Sequence, residues 1–338
     1  MEKKLNNPCT AMFAIPKKTK VITTDINIAK EKLIKNGVIA IPTETVYGLA
    51  GNALNEEAVK KIFDLKERPL HNPLIVHIKS TDELSKVALD IPPLAKKLAT
   101  HFWPGSLTLV LKKHSKIPNI VTSGHDTVAV RVPNHPLTLA LLNQLDFPLA
   151  APSANPFGCV SPTTSKHVQD YFNNDIEVIL DGGSCEKGIE STIIGFENDQ
   201  PVLYRFGALS IEELEKVVGP IRLNTLENKN PKAPGMLSKH YAPKTPIYLT
   251  NNVQELIKSF KGKRIGLLVF RTKIIKPEIV HQEVLAANGN LHEAAAKLYQ
   301  SIHFLDRLEL DVIIAEKFPN ESLGITINDR LERASKSK

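Results

Sequence analysis

Between Ile26 and Val218 the chain alternates two spacings of apolar residues, and after a polar gap the alternation returns from Ile247 onward. The segment Ile26–Asn36, apolar at Ile28, Leu33 and Ile34, reads as an amphipathic helix that Gly37 ends just past its last turn. The aliphatic run Val38–Ile41 predicts a strand, which Pro42 closes. Thr43–Gly48 then reads as a polar turn, and Val59, Ile62, Phe63 and Leu65 place a helix over Glu56–Lys66. Further strands are expected at Leu74–Ile78, Leu107–Leu111 and Val128–Val132, with helices at Asp82–Val87, Pro93–Thr100, Pro136–Leu145 and Thr164–Phe172. Strands Val178–Leu180, Ser191–Phe196 and Val202–Arg205 and a helix over Ile211–Val218 close the block before Gly219-Pro220. Strands interleaved with helices predict an α/β or α+β domain.

Ile221–Lys244 has no periodicity and carries Pro231, Pro234, Gly235 and Pro243, so it reads as a linker. Beyond it come strand Ile247–Leu249, helix Val253–Phe260, strand Arg264–Phe270, helix Leu291–Arg307, strand Val312–Ala315 and a short helix Asn328–Ala334. This is a smaller, Rossmann-like β/α unit. It lacks G-x-G-x-x-G and G-x-x-x-x-G-K-[ST], so no nucleotide site of its own is expected there. The expected division is a first domain over 1–218, an interdomain linker that serves as a lid over 219–245 and a second domain over 246–338.

A chain of 338 residues suits two domains. With 42% hydrophobic and 23% charged residues it falls in the globular range, not among disordered or fibrous chains. No apolar run approaches the roughly 20 residues of a membrane span, and Ala11–Ile15 is too short for a secretion signal, so a cytoplasmic protein is expected. Cys9, Cys159 and Cys185 are far apart and form no C-x-x-C pair, which disfavours a disulfide framework or a zinc knuckle. A net charge of +7 favours anionic partners, nucleotides or RNA. Aromatic residues are only 6%, too few for an obvious base-stacking platform.

Candidate chemistry gathers in five clusters. Pro42–Gly48 offers Thr43, Glu44, Thr45 and Tyr47 at a strand end, where they could grip a small zwitterion or simply cap a helix. Lys66 and Arg68, if extended, point the same way and suit a phosphate, carboxylate or bicarbonate; otherwise they are solvated charges at a helix end. In Asp126–Pro133, Arg131 shares a face with Thr127 and Ala129, and so apolar a strand requires it to pair with a carboxylate or an anionic substrate. Ala150–Gly158 and Ser161–Thr164 bring small residues beside Ser153 and Asn155, where backbone can approach phosphate oxygens, although Ser161 or Thr163 could equally cap a helix. Asp181–Ser184 with Gly188–Thr192 could form a glycine hairpin. There is no G-x-S-x-G elbow, no H-E-x-x-H and no histidine pair at metal spacing, so positioning and electrostatic stabilisation are favoured over a nucleophile or zinc.

Taken together, Pro42-Thr-Glu-Thr-Val-Tyr-Gly48, Lys66-x-Arg68 with Asn72–His77, Val130-Arg-Val-Pro133, Pro152-Ser-Ala-Asn155 with Ser161–Thr164, and Gly188-Ile-Glu-Ser-Thr192 resemble the YrdC-type threonylcarbamoyl-AMP synthase family. Lys239–Pro243 and Asn328–Leu331 resemble the linker and C-terminal signature of its long form. The resemblance implies a twisted mixed sheet with flanking helices. It also implies an ATP-dependent enzyme that joins L-threonine and bicarbonate to AMP, releases pyrophosphate, and feeds a downstream transferase that modifies tRNA. By motif position, threonine would be held by Thr45, His77, Arg131, Ala151 and Ser191. ATP would contact Arg68, Asn72, Thr127, Ser153, Ser161, Arg205, Tyr241 and His240, while Lys66, Arg68, Ser153 and Asn155 form the family's catalytic tetrad. Mg²⁺ is implied with ATP, and no side chain is assigned to it. Arg205-Phe-Gly207 stands where the family often has Arg-Pro-Gly, which leaves the backbone at Arg205 less constrained. A carbamoyl transferase using carbamoyl-phosphate, and an RNA-binding module with weak RNA contact, are the competing readings.

Overall fold

The computed structural model describes residues 21–173, 175–224 and 240–336. A 12-stranded mixed sheet dominates the first two thirds of the chain. Its order runs Val21–Thr23, Val178–Leu180, Ile39–Ile41, Gly48–Asn52, Leu149–Ala150, Ile75–His77, Thr127–Arg131, Leu107–Lys113, Thr192–Glu197, Gln200–Arg205 and Arg222–Leu223, with Ala88–Leu89 paired beside Leu107–Lys113.

Side chains alternate across each strand, so the two sheet faces have different covers. On one face Ala40, Leu49, Val76, Leu109, Val130 and Ile179 pack under helices Glu56–Lys66, Pro93–Phe102, Ser165–Phe172 and Ile211–Val218. On the other, Ile39, Ile41, Ala50 and Leu180 are covered by helices Ile26–Ile34 and Pro136–Asn143. Further along that second face the small apolar group Ile75, Val110, Ala129 and Ile193 has no helix in its cluster. There the sheet floor becomes available to a ligand.

The second sheet is parallel and four-stranded, ordered Ile247–Thr250, Val312–Glu316, Ile265–Val269 and Ile279–Val284. Burial on both faces explains its unbroken aliphatic runs. Val253–Lys258 covers Ile265, Leu267, Val269, Val312 and Ile314. Helices Leu291–Asp306 and Ser322–Ser335 cover Leu268, Ile313 and Ala315, and the same apolar cluster takes in Val46, Val160, Ile189 and Ala208 from the first sheet's loops. The two halves therefore meet in one apolar cluster. They approach closely at Gly188, which has a positive φ of 68° and where an added Cβ would sit 2.2 Å from the Ala296 carbonyl oxygen.

Several sequence expectations require correction. Helix Ile26–Ile34 is ended by Asn36, which takes the positive φ of 53°; Gly37 instead leaves room for the Lys32 side chain. The polar turn after Ile41 leads into a strand, Gly48–Asn52, whose glycines disguise it in the sequence. The Lys-rich lead-in contains strand Val21–Thr23, and the second unit contains Ile279–Val284, an edge strand half-exposed along much of its length. Asp82–Val87 is a 3₁₀ turn over Thr81–Lys86, and the short last helix runs over Ser322–Ser335. The start of the expected linker pairs as strand Arg222–Leu223 with Gln200–Arg205; residues 225–239, like Cys9, lie outside the described residues.

Candidate active site

Four strand ends converge on the uncovered part of the floor. Ile75–His77 and Thr127–Arg131 are parallel with His77 opposite Arg131, and Leu107–Lys113 links them to Thr192–Glu197, with Thr108 opposite Ile193. Turns from Thr43–Gly48 and Ala151–Ser153 form one wall, and His240 and Tyr241 form another. The hollow leaves about 570 Å³ free of protein atoms, counting its open mouth.

Thr45, His77, Arg131, Ala151 and Ser191, the five residues expected around threonine, all line this hollow. Arg131 donates through Nε to the Gly105 carbonyl at 3.1 Å and through Nη1 to Thr45 Oγ1 at 2.9 Å, and its Nη2 lies 2.6 Å from Glu44 Oε1. The requirement that this arginine be paired is thus met inside the protein. Burial alone would raise the Glu44 carboxyl, but Arg131 and the Asn134 amide outweigh it and hold the group below its ordinary value. Burial, with Arg131 nearby, drives the His77 imidazole down to about 3, so His77 is neutral, and its Nδ1 has no partner among the described residues.

Arg68, Ser153, Arg205, His240 and Tyr241 line the remainder, the part expected to meet ATP. Arg68 Nε and Nη2 donate to the carbonyls of Asn72 and Pro73 at 3.0 and 2.8 Å, and its charge has no carboxylate partner among the described residues. Burial, then Arg205, bring Arg68 down to about 9. Arg205 donates to the Ser191 carbonyl at 2.8 Å and to Ser191 Oγ at 3.1 Å, so it is held despite the departure at Phe206. His240 is buried and driven down to about 3 by that burial.

Five expected site residues do not line the hollow. Lys66 is the last residue of its helix, and Glu67 follows with a φ of 52°, so Lys66 and Arg68 do not form an extended pair. Neither is solvated: Lys66 is 1% exposed and its ammonium donates to the carbonyls of Ser153 and Asn155, pinning the loop from behind. Burial, with Arg68 nearby, lowers the Lys66 ammonium well below its usual range. Asn155 sits in the same support, its amide donating to the carbonyls of Pro156 and Cys159. Asn72 is buried beside Arg68 with both side-chain polar atoms unpartnered among the described residues. Ser161 Oγ donates to Glu190 Oε1, and the helix that follows is capped by Thr164. Thr127 lies at the opposite end of its strand from Arg131, four residues or about 13 Å away.

Tyr47 is also diverted: its hydroxyl donates to the Gly183 carbonyl and accepts from the Gly182 amide, tying the first and fifth clusters together. Thr43 Oγ1 donates to the Val46 carbonyl within its own turn. Cys159 and Cys185 are free thiols, and burial raises both. The sequence reading gives Glu190 no role and offers Glu44 only as one of four polar side chains at a strand end. Both lie inside the quoted motifs, yet nothing in their spacing reveals that each is the buried partner of an arginine far away in the chain. Among the described residues no cluster of three metal-ligating side chains occurs, and no helix is long and apolar enough to cross a membrane.

Residues 31–207 match the Sua5/YciO/YrdC family, described as Telomere recombination, and residues 209–336 match the family Threonylcarbamoyl-AMP synthase, C-terminal domain. The chain is 42% identical over 324 residues to the threonylcarbamoyl-AMP synthase of Pyrococcus abyssi, covering 92% of this chain and 94% of that one. It is 40% identical over 325 residues to the Bacillus subtilis protein of the same name, covering 93% and 94%. Its fold is similar to the crystal structure of P. abyssi Sua5 complexed with L-threonine, with a TM-score of 0.87 at 40% identity over 94% of this chain and 97% of that one. With the two family matches spanning the sheet domain and the parallel unit that closes over it, the chain belongs to the threonylcarbamoyl-AMP synthases, in the long form that carries a C-terminal domain.

Proposed function

We propose that the hollow joins L-threonine, bicarbonate and ATP into threonylcarbamoyl-adenylate. The threonine amine forms a C–N bond to the bicarbonate carbon with loss of water. A carbamate oxygen then attacks the α-phosphorus, the bond to the leaving phosphate breaks, and pyrophosphate departs. Bicarbonate, the carbamate and the triphosphate are anions that repel one another, so the chain's task is to hold them together and keep water from the labile carbamate.

The observation that supports this most is the arrangement of cations. Arg68, Arg131 and Arg205 line one hollow, and Lys66 stands behind its wall. Arg131, its orientation held by Gly105, Thr45 and Glu44, would meet the threonine carboxylate; Arg68 and Arg205 would meet the phosphates. His77, neutral, would contribute a hydrogen bond without adding charge. Glu44 and Glu190 are each engaged by an arginine, so the lining offers no free carboxylate to Mg²⁺. A magnesium ion arriving with ATP would keep water and phosphate oxygens as its ligands.

In this reading residues 1–218 carry the chemistry, 219–245 strap the nucleotide and 246–338 brace the strap. The enzyme works in the cytoplasm, and its product passes to a transferase acting on tRNA. Purified protein should release pyrophosphate only when ATP, threonine and bicarbonate are all present. Release at the same rate without threonine would refute the assignment.

A further inference from the structure

Glu190 is a carboxylate in the wall of a hollow otherwise built for anions. Oε1 accepts from Ser161 Oγ at 2.7 Å; Oε2 accepts from the Tyr299 hydroxyl at 3.0 Å and from Arg330 Nε at 2.9 Å. Tyr299 and Arg330 both come from the second domain, on helices Leu291–Asp306 and Ser322–Ser335. Arg330 is 1% exposed, and its Nη2 donates to the Phe206 carbonyl at 2.6 Å, next to Arg205. Its guanidinium carbon stands 4.9 Å from the ring centroid of Tyr241, which stacks on Tyr299 at 5.7 Å. One arginine thus touches the carboxylate in the wall, the backbone beside Arg205 and the aromatic side chain that closes the nucleotide half. A like-charged carboxylate beside a polyphosphate opposes binding unless a fixed cation draws it aside.

We propose that Arg330 is a positioning residue for the ATP half of the site, holding the Glu190 carboxylate back from the triphosphate while seating Tyr241 over the nucleotide. The second domain then does more than cover the first: it supplies a positive charge that the sheet domain's own ATP wall needs. This rests on the synthase reading, because it requires a polyanionic nucleotide in the hollow. Arg330 itself touches no reactant.

The pair should behave as a unit. In Arg330→Met the buried carboxylate loses its direct ion-pair partner and keeps only the influence of Arg205, and the KM for ATP should rise at least tenfold while the KM for threonine changes less than threefold. Adding Glu190→Gln removes the uncompensated charge, so the double variant should recover most of that loss. If the single variant fails to fold while the double variant folds and binds ATP, the uncompensated carboxylate is equally the cause. An ATP KM within twofold of the parent in folded Arg330→Met, a double variant no better than the single, or failure of both to fold would overturn the proposal. Threonine-dependent pyrophosphate release by the unaltered chain checks the underlying reading separately.

Discussion

Arg131 Nη2 lies 2.6 Å from Glu44 Oε1, and the two side chains are 4% and 3% exposed. This pair joins the turn after the strand Ile39–Ile41 to the end of the strand Thr127–Arg131, placing a guanidinium on the floor of the hollow with its direction already set. Removing one partner of a buried pair leaves the other charged and unpaired, which costs about 3–5 kcal/mol. Glu44→Gln should therefore lose stability on that scale in urea unfolding. A change below about 1 kcal/mol, inside the ordinary range of surface substitutions, would show that the pair does not brace the site.

Lys66→Met removes the donor that pins the carbonyls of Ser153 and Asn155 without altering the hollow's lining. A loop displaced by about 1 Å costs roughly 100-fold in rate. A loss of that order in kcat/KM for ATP is expected, read from pyrophosphate release. Unchanged kinetics would reduce Lys66 to an internal strut with no bearing on catalysis.

Tyr241→Ala tests the strap more cleanly than truncation after residue 218, which would strip the cover from Val46, Val160, Ile189 and Ala208. Tyr241 lines the hollow and packs against both Tyr299 and Arg330. Losing an aromatic contact of roughly 0.5–1.5 kcal/mol predicts a several-fold rise in the KM for ATP, with threonine affected less. Equal rises for both substrates would point to general loosening of the fold.

Four histidines, His77, His167 and His240 buried and His303 partly so, set an acid limit on stability. Burial holds His77, His167 and His240 at about 3 and His303 at about 4, below the 6.5 of a free imidazole. The unfolded chain therefore binds protons that the native chain refuses, and stability falls as pH drops below 6.5, levelling only near 3–4. Each histidine accounts for about 1.4 kcal/mol by pH 5.5. Glu44 and Glu190, held below their ordinary values, add further losses once the pH falls beneath 4.5. Urea midpoints at pH 7.5 and 5.5 measure the effect; equal midpoints would contradict it.

The α/β architecture, most element positions and the quoted clusters were legible along the chain, because apolar spacing is a local property that survives without coordinates. Gly48–Asn52 escaped because it has few side chains from which to read a face, and Val21–Thr23 because three residues cannot display a period. The site was legible as a set of residue types and only partly as a geometry. Spacing kept Arg131 undecided between carboxylate and ligand, and folding chose Glu44, 87 positions earlier in the chain, as its partner. Lys66 and Ser161 likewise proved to act behind the wall, on the Ser153–Asn155 loop and on Glu190.

By itself, then, the sequence determined most of the strands and helices and which polar residues stand at their ends, since both follow from the covalent order of side chains. Tertiary structure alone decided which charges meet. Strand order and register set His77 beside Arg131, and docking of the second domain sets Arg330 against Glu190. Those pairings depend on distances between residues far apart in the chain, and a buried charge is stable only where folding brings its counter-charge within reach.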